Sequence, residues 1–147
     1  MKLRTLMAAA IAFNMAGAAV AVAAEPQEMR KEMMEKIGKA MGGLAGIAKG
    51  KTPYDAEVVK ASLATMNEQI KGFPDQFPKG SESGFKTEAS PKIWENFDDF
   101  KAKAAKLEAD SATLLAALPA DQAAVGEAVK MLGADCGACH ESYRVKN

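Results

Sequence analysis

"DCGACHESYR", Asp135 to Arg144, holds both cysteines and the only histidine of a 147-residue chain. Cys136, Cys139 and His140 fall within five consecutive residues near the C-terminus. The stretch continues a pattern that begins upstream. Val125, Val129, Leu132, Cys136, Cys139 and Tyr143 recur at intervals of three and four, the period of one face of an α-helix. The motif therefore sits on the last turns of a helix, which Asp121 can cap after the interruption at Pro119.

Working back from that helix, the same period returns three times. Ala, Lys, Glu, Met and Leu dominate, and aromatic and β-branched residues are sparse, which is helix composition. A first helix is predicted from about Gln27 to Lys49, with Met29, Met33, Ile37, Met41, Leu44 and Ala48 inward and Gly50 closing it. A second is predicted from Thr52-Pro53-Tyr54-Asp55. Thr52 serves as N-cap, Pro53 as first helical residue and Asp55 as the acid answering the dipole. Its stripe is Val59, Leu63, Met66 and Ile70, and it stops near Gly72. Residues 73–90 have no helical period and form a long loop, under whose edge Phe73, Phe77 and Phe85 can tuck. Ser90-Pro91 opens a third helix with Ile93, Phe97, Phe100, Ala104, Leu107, Leu114 and Leu118 inward. Four amphipathic helices joined by short connections and one long loop predict an all-α, antiparallel four-helix bundle.

The start of the chain reads differently. Lys2 and Arg4 precede an Ala-rich apolar run, and Ala21-Val22-Ala23-Ala24 ends it before the first acid, Glu25. That is the layout of a secretory signal peptide, residues 1–23, with cleavage after Ala23 or Ala24. An uncleaved anchor is the alternative, although the run is short for a bilayer span. Residues 24–147 then form the one mature domain, and export places it in the periplasm. Without Lys2 and Arg4 the net charge is about −2. No basic patch stands out, which argues against nucleic acid as a partner. Lys and Glu runs such as "KAKAAKLEAD" read as solvated helix surface.

Cys136-Gly137-Ala138-Cys139-His140 is C-x-x-C-H, the haem-attachment pattern. Two cysteines three apart on a helix project toward neighbouring edges of a flat macrocycle, and each thiol can add across one vinyl group. His140 follows at once, so its ring can ligate the iron. Gly137 and Ala138 are small enough to let the porphyrin approach the backbone. Three other readings exist. A disulfide across three residues closes too small a loop to stabilise much and leaves His140 unexplained. A thiol–disulfide oxidoreductase also uses C-x-x-C, but at a helix N-terminus in a βα setting. Zinc wants about four ligands, more than this chain's cysteines and histidine supply. The expected cofactor is one covalently bound haem c.

A haem motif at the end of a four-helix bundle resembles the class II c-type cytochromes, that is cytochrome c′ and its low-spin, methionine-ligated relatives. The resemblance covers essentially the whole mature chain. "CGACHESYR" at 136–144 is its specific part, supported by "AKGKTPYDA" at 48–56 and "SPKIW" at 90–94. It implies a left-handed bundle with haem between helices and His140 as proximal iron ligand. Counting back from the "AKG" turn, the family's distal position falls on Met34. Met34 then either ligates the iron or packs on the distal face as a gap filler, and its neighbour Met33 is the remaining candidate. The resemblance also puts Arg30 near a haem propionate. Arg144, four residues after His140, can reach the proximal imidazole or a propionate; Trp94 and Phe97 read as packing residues.

Function follows from the sixth iron position. With Met34 bound, the chain is expected to be a low-spin monohaem electron carrier serving periplasmic redox proteins, and not an enzyme. No second histidine and no nucleophile–base pair is visible. With the position open, it is a high-spin cytochrome c′ that binds nitric oxide or carbon monoxide. High-spin relatives are often dimers through the first two helices, which the Met- and Ala-rich surface here permits.

Overall fold

A computed structural model of the chain describes residues 25–145. The predicted signal peptide lies outside the described residues. Helix α1 runs Pro26–Ala48, α2 Ala56–Gly72, α3 Lys92–Glu95, α4 Phe97–Ala116 and α5 Gln122–Tyr143. No strand occurs among the described residues; an isolated bridge pairs Ala89 with Arg144.

Each long helix follows from a stripe that has to leave water. In α2, Val59, Leu63 and Met66 are fully buried and Ile70 nearly so. In α5, Val125 and Leu132 are fully buried, with Tyr143 closing the stripe. These meet Leu44 and Ile47 of α1 and Phe100 and Leu107 of α4 in one core. Around the bundle the order is α1–α2–α4–α5, with α5 returning to α1. Neighbours run antiparallel, and side-chain meetings set their register. A Cβ added at Gly72 would lie 3.6 Å from Met33 Cε, and one at Gly43 would lie 3.6 Å from Ser62 Oγ. Between α1 and α5, a Cβ at Gly133 would lie 3.5 Å from Met41 Cε, while Gln122 Nε2 donates to Ala48 O at 3.4 Å. Between α4 and α5, Lys106 pairs with Asp135 and the Tyr143 hydroxyl reaches Asp99.

Four expectations need correction. Thr52 does not cap α2. Asp55 does, its carboxylate accepting from Glu57 N at 2.9 Å and Val58 N at 3.2 Å, so Pro53 stays in the turn. The third helix is not continuous. Asn96, at φ −130° and ψ 49°, separates α3 from α4, and its side chain turns back to Lys92 O. An amide that bonds nearby carbonyls offers the backbone an alternative to the helix. Phe85 does not tuck under the loop; it is 60% exposed, with φ +50°, between Gly84 and Lys86. Met29, Met41 and Ala48 are only half-buried, and Arg30, Ala40 and Ile47 take the inward face of α1 instead. The other cap expectations match: Asp121 Oδ1 accepts from Ala124 N at 2.8 Å, and Gly50 closes α1 at φ +66°, where a side chain would be strained.

Candidate haem site

The last three turns of α5 carry the motif. At 100° per residue, Cys139, Cys136 and His140 fan across the bundle side of the helix, from the α4 flank to the α1 flank. Cys139 lies close enough to Lys103 and Asp99 of α4 to feel their charges. Both thiols are half-buried against the core, and no disulfide joins them. His140 is exposed at the rim. Beside it a cavity of about 730 Å³ is lined by Gly137, His140, Glu141 and Arg144. A Cβ at Gly137 would meet nothing within 4 Å.

Electrostatics separates the readings left open by the motif. Burial pushes both thiols above their usual range, and the neighbouring Asp135 carboxylate adds to the effect on Cys136. A thiol–disulfide oxidoreductase needs the opposite, a depressed thiol at a helix N-terminus. Partial desolvation, then the Arg144 charge, pushes the His140 imidazole below its usual value, toward the neutral form that binds metal. Among the described residues no group of three or more His, Cys, Asp or Glu side chains is placed to hold a metal ion. Two half-buried thiols one turn apart, with an imidazole on the next residue, fit a porphyrin held by thioethers.

Register places the methionines. Met41 meets α5 at Gly133. Seven residues along each helix, in opposite directions, lead to Met34 on α1 and His140 on α5. Seven residues are two turns, about 10 Å of rise, and return nearly to the same face. By these contacts Met34 and His140 stand within about one turn of each other in height, on the flanks of α1 and α5 that face each other. Met34 is half-buried and packs on the core. Met33 points elsewhere: it is 7% exposed, and its Cε lies beside Gly72 of α2.

The two arginines are held from the same segment. Arg30 is 4% exposed. Its Nε donates to Gln76 O at 2.6 Å, Nη1 to Ser81 O at 3.0 Å and Nη2 to Ser81 Oγ. Its guanidinium lies 4.2 Å from the Phe77 ring centre and 5.2 Å from that of Trp94. Arg144 lines the cavity beside His140 and pairs with Glu88 at 2.6 Å. Trp94 and Phe97 pack against the core as expected, and Trp94 Nε1 donates to Pro78 O. The sequence did not single out Glu88 or Ser81, because each depends on a contact more than 50 residues away.

Residues 25–144 match the family model described as Cytochrome C′. The chain is 55% identical over 146 residues to a cytochrome c-556 of Agrobacterium fabrum, covering 99% of this chain and 98% of that one. It is 61% identical over 119 residues to a cytochrome c-556 of Agrobacterium tumefaciens (strain II Chrys), covering 81% and 96% respectively. Among solved structures, cytochrome c′ from Rhodopseudomonas palustris superposes with a TM-score of 0.80 at 30% identity, over 85% of this chain and 99% of that one.

Proposed function

This chain belongs to the cytochrome c′ family, and from that membership we propose that it is a periplasmic, low-spin monohaem electron carrier with His140 and Met34 as axial ligands. It is an electron carrier of the cytochrome c class whose cofactor is one covalently bound haem c. Haem iron supplies the one-electron couple; the residues supply attachment, ligation and a dry face. Cys136 and Cys139 hold the group by thioethers, which keeps it on an exported protein. His140, the chain's only histidine, ligates one side. Met34 ligates the other. Two side-chain ligands would keep the iron's surroundings alike in both oxidation states, which suits electron transfer. A thioether ligand also raises the potential.

The observation that carries this reading is the height match of Met34 and His140 across the α1–α5 interface. Arg144, beside His140, suits a propionate or the imidazole. Three of Arg30's five N–H groups serve the loop, and the other two remain for a propionate. No helix among the described residues is long and apolar enough to cross a membrane. Its partners in this reading are periplasmic redox proteins, met at the exposed His140 rim.

An optical spectrum of the purified holoprotein tests the assignment. Low-spin bands in both redox states, with a methionine-to-iron band in the oxidised form, are expected. Met34→Leu should turn the haem high-spin, lower the potential and admit carbon monoxide, and Met33→Leu should do none of these. A wild type that is already high-spin and binds nitric oxide rapidly would establish the open-site, gas-binding reading instead.

A further inference from the structure

The segment between α2 and α3 is pinned at both ends of its arc, each time to a helix of the site. At one end Phe73 and Phe77 enter the core, and Phe77 packs on Phe100 with ring centres 4.7 Å apart. There Arg30 of α1 binds Gln76 and Ser81, and Gln27 Nε2 donates to Ser83 O at 3.0 Å. At the other end the arc joins the end of α5. Ser90 N donates to Tyr143 O and Val145 N to Glu88 O, both at 2.9 Å, and Glu88 pairs with Arg144. By the Met41–Gly133 register, Arg30 and Arg144 stand level to within about one turn, one turn beyond Met34 and His140. The segment is thus a strap from α1 to α5 beside the two proposed ligands.

Arg30 is an expensive way to fasten a loop. Its guanidinium is buried, and among the described residues no carboxylate lies within ion-pair distance. Carbonyl oxygens, one hydroxyl and two aromatic faces hold it instead. Glu82 acts on it only from beyond ion-pair distance, and a buried charge is costly unless its donors are used well. What the planar fork gives in return is rigidity, since it fixes three acceptors in one plane. Arg30 also shares a face with Met34, four residues on.

We propose that Arg30 is a positioning residue for the axial pair: by clamping the 76–81 end of the strap to α1, while Glu88 and Ala89 fasten the other end to α5, it sets the spacing of the two helices at the level of Met34 and His140. The proposal rests on the reading that Met34 ligates iron. With the clamp released, α1 and α5 separate at this end and the thioether leaves the iron readily.

The test compares wild-type holoprotein with Arg30→Gln, Arg30→Lys, Ser81→Ala and Glu88→Gln. Carbon monoxide is the probe for the reduced form and the methionine-to-iron band for the oxidised form, with thermal midpoints measured alongside. Arg30→Gln should weaken the band and speed carbon monoxide binding at least tenfold. Arg30→Lys, which keeps the charge but not the fork, should recover only part of the loss. Ser81→Ala and Glu88→Gln should move both readouts the same way, by less. If Arg30→Gln lowers the thermal midpoint but leaves band and carbon monoxide rate at wild-type values, the arginine only stabilises the fold and the proposal fails alone. If Arg30→Gln does not accumulate as holoprotein, Ser81→Ala decides, and an unchanged rate there overturns the proposal. A high-spin wild type removes the ligation reading and the proposal together, so the two failures are told apart before any variant is made.

Discussion

Met33 and Met34 are adjacent and chemically identical, yet they are packed differently. Helical period puts one on the core stripe and the other about 100° away. The packing agrees: Met33 is spent on α2, while Met34 is half-buried at the edge of the core. Tyr143 shows the same division within one side chain. Its ring is buried edge-on to Phe100, and its hydroxyl donates to Asp99 Oδ2 at 2.6 Å and to Asn96 O at 3.3 Å. The Asp99 bond, reinforced by burial, pushes the phenol up to about 12. A raised phenol stabilises the folded state fully below its ordinary value near 10, and that contribution is lost as pH rises toward about 12. Tyr143→Phe should cost about 1 kcal/mol at neutral pH. It should also flatten the alkaline fall in stability above pH 10, followed by urea denaturation across the pH range. Arg30 belongs here too: the resemblance singled it out for a propionate, but its burial was not legible. A lone arginine on a helix looks like surface, and only the loop folded over it turns it inward.

Helix boundaries depended on a competition between neighbouring signals. "TPYDA" contains two candidate caps, Thr52 and Asp55, three residues apart. Asp55 wins because its carboxylate reaches two free N–H groups of the first turn, whereas Thr52 stays in the turn that leaves α1. Asp55→Ala should therefore destabilise the protein by about 1 kcal/mol. Thr52→Ala should stay within about 0.5 kcal/mol of wild type in the same chemical denaturation series. The break at Asn96 was invisible to hydrophobic period, because Ile93, Phe97 and Phe100 keep an inward face on both sides of it. Its cause is local and polar: an amide returning to Lys92 O, and a carbonyl taken by the Tyr143 hydroxyl from α5. The second of these contacts cannot be read from the α3–α4 segment at all.

The bundle as a whole is built around apolar stripes that meet on the inside, with the haem motif on the last of them. Leu44, Leu63, Met66, Phe100 and Leu132 are buried among protein side chains, while Cys136, Cys139 and Met34 are half-buried. A haem held there supplies the apolar surface these side chains lack. The holoprotein should keep its haem through acid–acetone extraction and denaturing electrophoresis. Cys136→Ala with Cys139→Ala should give a chain with reduced helix content and a lost cooperative thermal transition by circular dichroism. Full helicity and an unchanged transition would mean that the bundle needs no cofactor to fold. The helices, their antiparallel closure and the cofactor chemistry were legible in the sequence, because period, capping and C-x-x-C-H spacing are local codes written within a few turns. The site's walls were not. The pairing of Met34 with His140 in height, the burial of Arg30 and the fastening of Glu88 to Arg144 each join residues far apart in the chain. Only the register of packed helices and the path of one loop bring them together, since side-chain volumes across an interface, rather than any spacing along the chain, set where two helices stop sliding.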